Sequence, residues 1–282
     1  MFNLKKSTIT TNSEKSVKPK NDTKIDFTNH LSLLSADRRN KDRRIRDRRC
    51  NQSNNFKKIT VVIPALNEER AIGRVVDEIP IESLRKMGYG VEIMVIDNGS
   101  KDKTRYIANN RGAKVIVQPI KGYGNAYKAG FANATGNIIA TGDADLTYPF
   151  CDLPIIIKRM EDENLDFITT DRLTNLQPGV MSRTHYFGNI LLRLMTKILF
   201  KLPCKDSQSG MWIFKKSIWP KLNIKSSGMP FSQELKIEAY RNGLKCCEIP
   251  IVYRARVGEV KLSTFKDGLG NILHLIKKRF FN

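Results

Sequence analysis

Two aspartates two residues apart, Asp143 and Asp145, stand in the segment Gly142-Asp143-Ala144-Asp145-Leu146, directly after the apolar run 137–141. Carboxylates so placed can share a hard divalent cation, which takes oxygen ligands and lets substrate phosphates complete its shell. Such an ion would neutralise a diphosphate and act as a Lewis acid as it leaves. In isolation the pair reads as well as a solvated acidic turn; its position after a hydrophobic strand points to the metal. Asp97 opens Asp97-Asn98-Gly99-Ser100 after the run 91–96. Its carboxylate could accept hydrogen bonds from a base or ribose. The alternative, capping the next helix, suits Ser100 or Asp102 better. Gly122-Tyr123-Gly124-Asn125-Ala126, preceded by Lys121, allows either close backbone approach to a ligand or a plain turn. It is not a GxGxxG entered directly from a strand, which disfavours a dinucleotide dehydrogenase.

These residues need elements to hold them. The β-branched run 59–63, halted by Pro64, predicts a buried parallel strand. A helix over about 68–79 follows, then strand 91–96, another helix, strand 113–117, helix 126–134 and strand 137–141. Alternation at this spacing means βαβ units and a parallel sheet covered by helices. Ligands of such sheets bind beyond the carboxyl ends of the strands. The loops 64–69, 97–103, 121–125 and 142–149 are therefore the candidates.

The 282 residues suffice for one large α/β domain, and the net charge is +21. Residues 1–56 carry 14 Lys/Arg against 6 Asp/Glu and repeat an Asp-Arg-Arg unit between Asp37 and Arg49. They read as a basic, disordered N-terminal arm, with anchoring to anionic lipid as the alternative; the domain proper is 57–282. Nucleic acid is not an expected partner, since no aromatic residues interleave the bases. Cys50, Cys151, Cys204, Cys246 and Cys247 form no CxxC pair, and the histidines are isolated. Free thiols in a reducing compartment are expected, with Cys246 and Cys247 buried, and no His-based metal site. Residues 1–20 lack the apolar core of a signal peptide, and no run of about 18 apolar residues occurs. A soluble or peripheral protein is expected.

Taken in order, Val61-Val62-Ile63-Pro64-Ala65-Leu66-Asn67-Glu68-Glu69, Val95-Ile96-Asp97-Asn98-Gly99-Ser100, Gly122-Tyr123-Gly124-Asn125-Ala126-Tyr127 and Asp143-Ala144-Asp145-Leu146 resemble the motifs of family-2 glycosyltransferases. Asp206-Ser207-Gln208-Ser209-Gly210-Met211, Phe231-Ser232-Gln233-Glu234-Leu235 and Glu248-Ile249-Pro250-Ile251 look like the dolichol-phosphate mannose synthase branch and its bacterial and archaeal relatives. The resemblance covers roughly 57–270. It implies a GT-A fold, a Rossmann-like, mostly parallel central sheet with helices on both faces, and a UDP- or GDP-sugar donor. The sugar stays open among mannose, glucose and N-acetylhexosamine. Pro64, Ala65, Asn67, Glu68, Asp97, Gly122, Gly124, Asp143, Arg256 and Lys261 are the nucleotide-sugar-binding residues so implied, with Asp143 and Asp145 meeting Mg²⁺ or Mn²⁺. The chain departs from the pattern at Thr147, where relatives often carry a further ligand Gln. It also departs in Gly258-Glu259-Val260-Lys261, where a Ser is replaced, and at Asn98, where a second acid is usual.

The expected reaction is inverting transfer of a hexose to a polyprenyl (dolichyl or undecaprenyl) phosphate. Such a phosphate arrives ionised, its second pKa lying near about 6, and requires no base. A glycan hydroxyl acceptor would need one, and Glu234 is the candidate, with an ordinary helix position as its alternative. Arg183, and after it Arg172, could meet the acceptor phosphate. An inactive nucleotide-sugar-binding protein is the remaining alternative. Residues 186–201 are apolar with Arg193, Lys197 and Lys201 on one helical face. They fit either an interfacial helix or one packed on the sheet. The segment 269–281 is also amphipathic and basic. Peripheral attachment at the cytoplasmic face of a membrane, or a membrane-anchoring partner protein, is expected.

Overall fold

The structure, a computed structural model, describes residues 57–259 and 264–281. The arm expected over 1–56, Cys50 and Lys261 lie outside the described residues.

Strand β1 (Lys58–Ala65) is the centre of the sheet. Ile59, Thr60, Val61, Val62 and Ile63 are all 0% exposed, which a strand achieves only when helices cover both faces. It pairs in parallel with β2 (Gly90–Asp97) over its whole length, from Lys58↔Gly90 to Ala65↔Asp97. β3 (Lys114–Val117) continues that side with Asp97 opposite Val117. On the other side lies β4 (Ile138–Thr141), also parallel. The order is β3-β2-β1-β4-β6-β5-β7. Here β5 is Phe167–Asp171, β6 Trp212–Lys215 and β7 Cys246–Pro250. The sheet is mostly parallel as expected, but β6 runs antiparallel to both β4 and β5. No sequence signal identified β6 as a strand or gave its direction.

Alternate residues of β1 point to opposite faces. Ile59, Val61 and Ile63 pack with α1 (Ile72–Asp77), α2 (Ile81–Lys86) and α5 (Leu153–Asp162), and Ala108 of α3 (Thr104–Asn110) joins them. Val62, with Met94 and Ile96 of β2, packs against α4 (Tyr123–Asn133) and α7 (Phe231–Arg241). A third cluster joins Leu192 of α6 (Arg183–Phe200), Ile237 of α7 and Leu275 of α8 (Thr264–Phe280).

Two expectations change in detail. The helix predicted over about 68–79 is the short α1, and α2 follows Pro80 as a separate element. Asn67 takes a left-handed φ of 51° and the chain spends residues 66–71 on the rim of the sheet, while Pro80 breaks a continuous helix. Cys151, Cys204, Cys246 and Cys247 are free thiols, yet Cys246 and Cys247 are only partly buried, since they lie on the edge strand β7.

Helix α4 lies close on the sheet: a Cβ on Gly130 would overlap Val62 Cγ1 and come 3.2 Å from Ile96 Cγ1. Helix propensity alone would favour Gly130→Ala by about 1 kcal/mol. Overpacking of a close-packed core costs about 1–3 kcal/mol, so the substitution is expected to destabilise. Denaturant unfolding checks it; a stability equal to or above the parent's would show that the sheet and α4 can separate freely.

Candidate active site

The loops after β1 and β2 are sewn together at the carboxyl rim. Asn67 N–H donates to Ser100 Oγ (2.9 Å), Lys101 N–H to Asn67 Oδ1 (2.8 Å) and Glu68 N–H to Thr104 Oγ1 (2.8 Å). Asp97 is fully buried beneath this rim. Its carboxylate accepts from Ser100 N–H (3.1 Å) and Gly99 N–H (3.3 Å), and from Arg105 Nε at 2.7 Å. The expected contact with a base or ribose thus meets a carboxylate already engaged by its own loop. Asn98, where the sequence resemblance implies an acid, uses both ends of its amide. Its Nδ2 donates to the carbonyls of Gln118 (3.0 Å) and Ile120 (2.9 Å), and its Oδ1 accepts from Gly122 N–H (2.8 Å). An ionised aspartate could not donate to those carbonyls.

Gly122 and Gly124 do permit a close approach, but by the chain itself. A Cβ at Gly122 would strike Ser227 O, and one at Gly124 would lie 2.8 Å from Ser226 O. Gly122 also needs its φ of 137°, which L side chains avoid.

The acidic loop after β4 is held by distant segments. Asp145 Oδ1 accepts from Thr147 N–H (3.1 Å) and Thr147 Oγ1 (2.6 Å), and Asp145 Oδ2 faces Arg256 Nη2 at 2.7 Å. Val257 N–H donates to Asp145 O and Arg254 N–H to Thr147 O, both at 3.0 Å. These bonds hold Leu146 at φ 69°, a conformation that costs a non-glycine residue about 1–3 kcal/mol. Thr147 thus takes a lone pair of Asp145, at the position where the sequence resemblance implies a ligand Gln. Among the described residues Asp143 is paired with no such cation; Tyr123 OH donates to its Oδ1 at 3.3 Å. Burial, and then the charge of Asp145, push its carboxyl up to about 7, against the opposing effect of Arg256 and Arg172.

Asp143 lines a cavity of about 420 Å³ together with Tyr123, Arg172, Gln208, Tyr253 and Arg256. The second cavity, of about 140 Å³, is lined by Asn67, Glu68 and Gly258 among others. Arg172 is fixed by Asp206, with Nε to Oδ2 at 2.6 Å and Nη2 to Oδ1 at 3.0 Å, and it lies over the Tyr253 ring at 5.3 Å. Burial alone would raise the Asp206 carboxyl; the charge and hydrogen bonds of Arg172, with Lys236, outweigh it and hold the group at about 2. Lys236 Nζ donates to Asp206 O at 2.7 Å. Burial draws the Lys236 ammonium down to about 8 against the pull of Asp206.

The structure therefore gathers Asp143, Asp145 and Arg256 at one place, with Asn67 and Glu68 lining a second cavity. Pro64 and Ala65 end the central strand, and Ala65 O accepts from Asn98 N–H at 2.9 Å. Two expected residues lie elsewhere. Arg183 is exposed and does not line the cavity, although its helix neighbours Ser182 and His185 do. Glu234 does not reach the cavity either. It is buried against Lys278 Nζ at 2.9 Å and accepts from Ser226 N–H (2.8 Å), Ser226 Oγ and Lys225 N–H (3.2 Å). Burial opposes its ionisation, but the bonds from Ser226, Lys278 and Lys225 outweigh that and hold its carboxyl below the usual range. A base must be free to take a proton, and this carboxylate is committed. Sequence reasoning ranked Arg172 below Arg183 and assigned no role to Asp206 or Tyr253. The motif around Asp206 was a usable signal; nothing local marks Tyr253. Among the described residues no group of three or more His, Cys, Asp or Glu is placed to hold a metal.

The sequence model described as "Glycosyl transferase family 2" matches residues 60–222. Over 220 residues the chain is 35% identical to the low-salt glycan biosynthesis hexosyltransferase Agl6 of Haloferax volcanii, covering 77% of this chain and 53% of that protein. The chain thus spans about half the length of that relative. It is 33% identical over 214 residues to the dolichyl-phosphate hexose transferase of the same organism, covering 76% of this chain and 90% of the relative. Among solved structures, glucosyl-3-phosphoglycerate synthase from Mycobacterium tuberculosis in complex with phosphoglyceric acid superposes with a TM-score of 0.65 and 23% identity, over 79% of this chain and 80% of that one. The same enzyme in complex with Mn²⁺, UDP and glucosyl-3-phosphoglycerate gives 0.62. These last two likenesses are ones of fold.

Two outcomes are expected. A general base contributes about 100-fold or more, so Glu234→Gln should keep turnover within roughly tenfold of the parent while lowering stability by about 1–3 kcal/mol. A loss of all turnover in protein that melts normally would restore Glu234 as the base. The depressed Asp206 carboxyl stabilises the fold above its unfolded value near 3.8, and that contribution is lost as pH falls toward about 2. It is on the order of 2 kcal/mol. Asp206→Asn should flatten the acid-unfolding profile between those limits; an unchanged profile would contradict the assignment.

Proposed function

We propose, on the premise that this chain belongs to glycosyl transferase family 2 and is a glycosyltransferase with a GT-A fold, that it moves a hexose from a UDP- or GDP-sugar to a polyprenyl phosphate. Transfer proceeds with inversion and depends on Mg²⁺ or Mn²⁺. The 33% identical relative whose name specifies dolichyl phosphate supports the acceptor. The observation that carries the reading is the cavity wall: Arg172, held at two nitrogens by Asp206, faces the same space as Asp143 and Arg256. A guanidinium so fixed suits a phosphate. An acceptor that is already anionic fits a cavity that Glu234 does not reach.

Asp143 fits a cation. Its carboxyl is pushed up to about 7 by burial and by Asp145, a repulsion that a divalent ion relieves. Mg²⁺ is commonly bound through one or two carboxylates, the donors that Asp143 and Asp145 offer. Asp143 and Asp145 would hold the cation, with Tyr123 and Thr147 orienting their carboxylates, and it would supply Lewis-acid stabilisation of the departing diphosphate. Arg256, paired with Asp145, is placed to turn to a diphosphate oxygen. The rim loops position the nucleotide through Pro64, Ala65, Asn67 and Glu68, with Asp97 keeping their shape. Arg172 orients the acceptor oxygen toward the anomeric carbon.

No helix among the described residues is long and apolar enough to cross a membrane. Peripheral attachment at the cytoplasmic face of a membrane belongs to the same reading.

The test is a panel of nucleotide sugars with polyprenyl phosphate and Mg²⁺ or Mn²⁺, read by mass spectrometry. A glycosyl phospholipid should form with one donor. Asp145→Ala should lower kcat/KM by about 100-fold or more. Arg172→Lys, checked for folding by its melting temperature, should raise the acceptor KM about tenfold with a smaller change in kcat. Transfer to a sugar hydroxyl with none to any lipid phosphate would overturn the acceptor.

A further inference from the structure

Asn271 stands on α8 and lines the large cavity, with Asp267 and Gly268 one turn earlier on the same helical face. The residue is 6% exposed, and its Oδ1 is buried with no hydrogen-bond partner among the described residues. A buried acceptor without a donor costs about as much as a lost hydrogen bond. The backbone that carries it is firmly held. Gln233 Nε2 donates to Asn271 O at 2.9 Å, Gln208 Nε2 to Gln233 Oε1 at 3.0 Å, and Gln208 N–H to Asp206 Oδ1 at 2.9 Å. Asp206 in turn grips Arg172. One chain of bonds thus sets Asn271 and Arg172 at fixed places on the wall of the same cavity.

The cavity has room beside that amide. Gly268 on α8 and Gly188 on α6 both line it, and a Cβ on either would meet nothing within 4 Å. Chemistry narrows what belongs there. Arg172 and Arg256 serve anions, and ionised phosphate oxygens accept hydrogen bonds without donating any. Neither a diphosphate nor a lipid phosphate can therefore satisfy Asn271 Oδ1. It needs an O–H or N–H. The nucleotide carries such donors, but the rim loops assigned to it, 64–69 and 97–103, contribute nothing to this wall. The hydroxyls of the transferred sugar remain. A site that meets a substrate hydroxyl with a buried polar group rejects the analogue that lacks it, because the protein group is then left unpaired.

We propose that Asn271 Oδ1 accepts a hydrogen bond from one hydroxyl of the donor's hexose, and that Asn271 is thereby a specificity-determining residue for the sugar. The inference rests on the function proposed above for its nucleotide-sugar donor, and does not depend on the acceptor.

Titration calorimetry of the full chain with Mn²⁺ and no acceptor tests it. The ligands are the nucleotide sugar that the panel above selects, each monodeoxy analogue of its hexose, and the nucleoside diphosphate alone. In the parent, one analogue should bind about 10–100-fold more weakly than the hydroxylated donor. In Asn271→Leu, a change of little volume, that gap should close to within about twofold, while the nucleoside diphosphate binds as it does to the parent. The variant should also melt no lower than the parent, because it deletes an unpaired oxygen and keeps the main-chain carbonyl that Gln233 uses. Equal discrimination among the analogues in parent and variant overturns the proposal. So does a variant that melts well below the parent, the mark of a structural amide, or one that loses affinity for the nucleoside diphosphate by the same factor as for the nucleotide sugar. Discrimination that depends on Asn271, in a protein that glycosylates no lipid phosphate, supports this subsite and defeats the acceptor. A parent that binds no nucleotide sugar overturns both.

Discussion

Two carboxylates at the buried rim of a sheet repel each other, and much of this structure answers that repulsion. Asp145 meets Arg256 at 2.7 Å. Asp143 receives a tyrosine hydroxyl, and its nearest helpful charges act from farther off. The neutralisation is incomplete, so the pair keeps an appetite for positive charge, and a cation brought in with a diphosphate would satisfy it. Arg172 could also have closed on the acidic pair. It is withheld by Asp206, which takes its fork at two points and leaves the guanidinium available to a second anion in the cavity.

That restraint needs its own support. Asp206 is anchored by Lys236 through its carbonyl and by Glu248, whose carboxylate accepts from the N–H groups of Lys205 (2.7 Å) and Asp206 (2.9 Å). Lys236 and Glu234 leave α7 in different directions, the first toward Asp206 and the second toward Lys278 of α8. Helix α7 is therefore buried along residues 231–239 although it carries three charged side chains there, Glu234, Lys236 and Glu238. Each of the three is paired, as burial of charge demands. The helix links the interior of the site to α8 and, through the third core cluster, to α6. The loops after β1 and β2 are likewise tied by side chain to backbone bonds, so the rim is shaped before any ligand arrives, which lowers the cost of binding.

Covalent neighbours and periodicity were enough for the sequence to determine the parallel strands β1, β2, β3 and β4, the loops at their carboxyl ends, and the acidic pair beyond β4. A β-branched run can only be satisfied by burial, and a loop follows where the run stops. Asp143 and Asp145 were legible for that reason, as was the amphipathic character of the segments that became α6 and α8. Tertiary structure decided everything that depends on a partner far along the chain. Glu234 looked like a free acid in a motif until Lys278, 44 residues on, occupied it. Arg183 ranked ahead of Arg172 as the acceptor's cation until Asp206, 34 residues beyond Arg172, fixed Arg172 in the cavity wall and folding left Arg183 outside. Gly122 and Gly124 promised room for a ligand that Ser226 and Ser227 fill, and β6 took its direction from the strands on either side. Residue type states what a group can do; its charge, its freedom and what it touches depend on neighbours that only folding brings within a few ångströms.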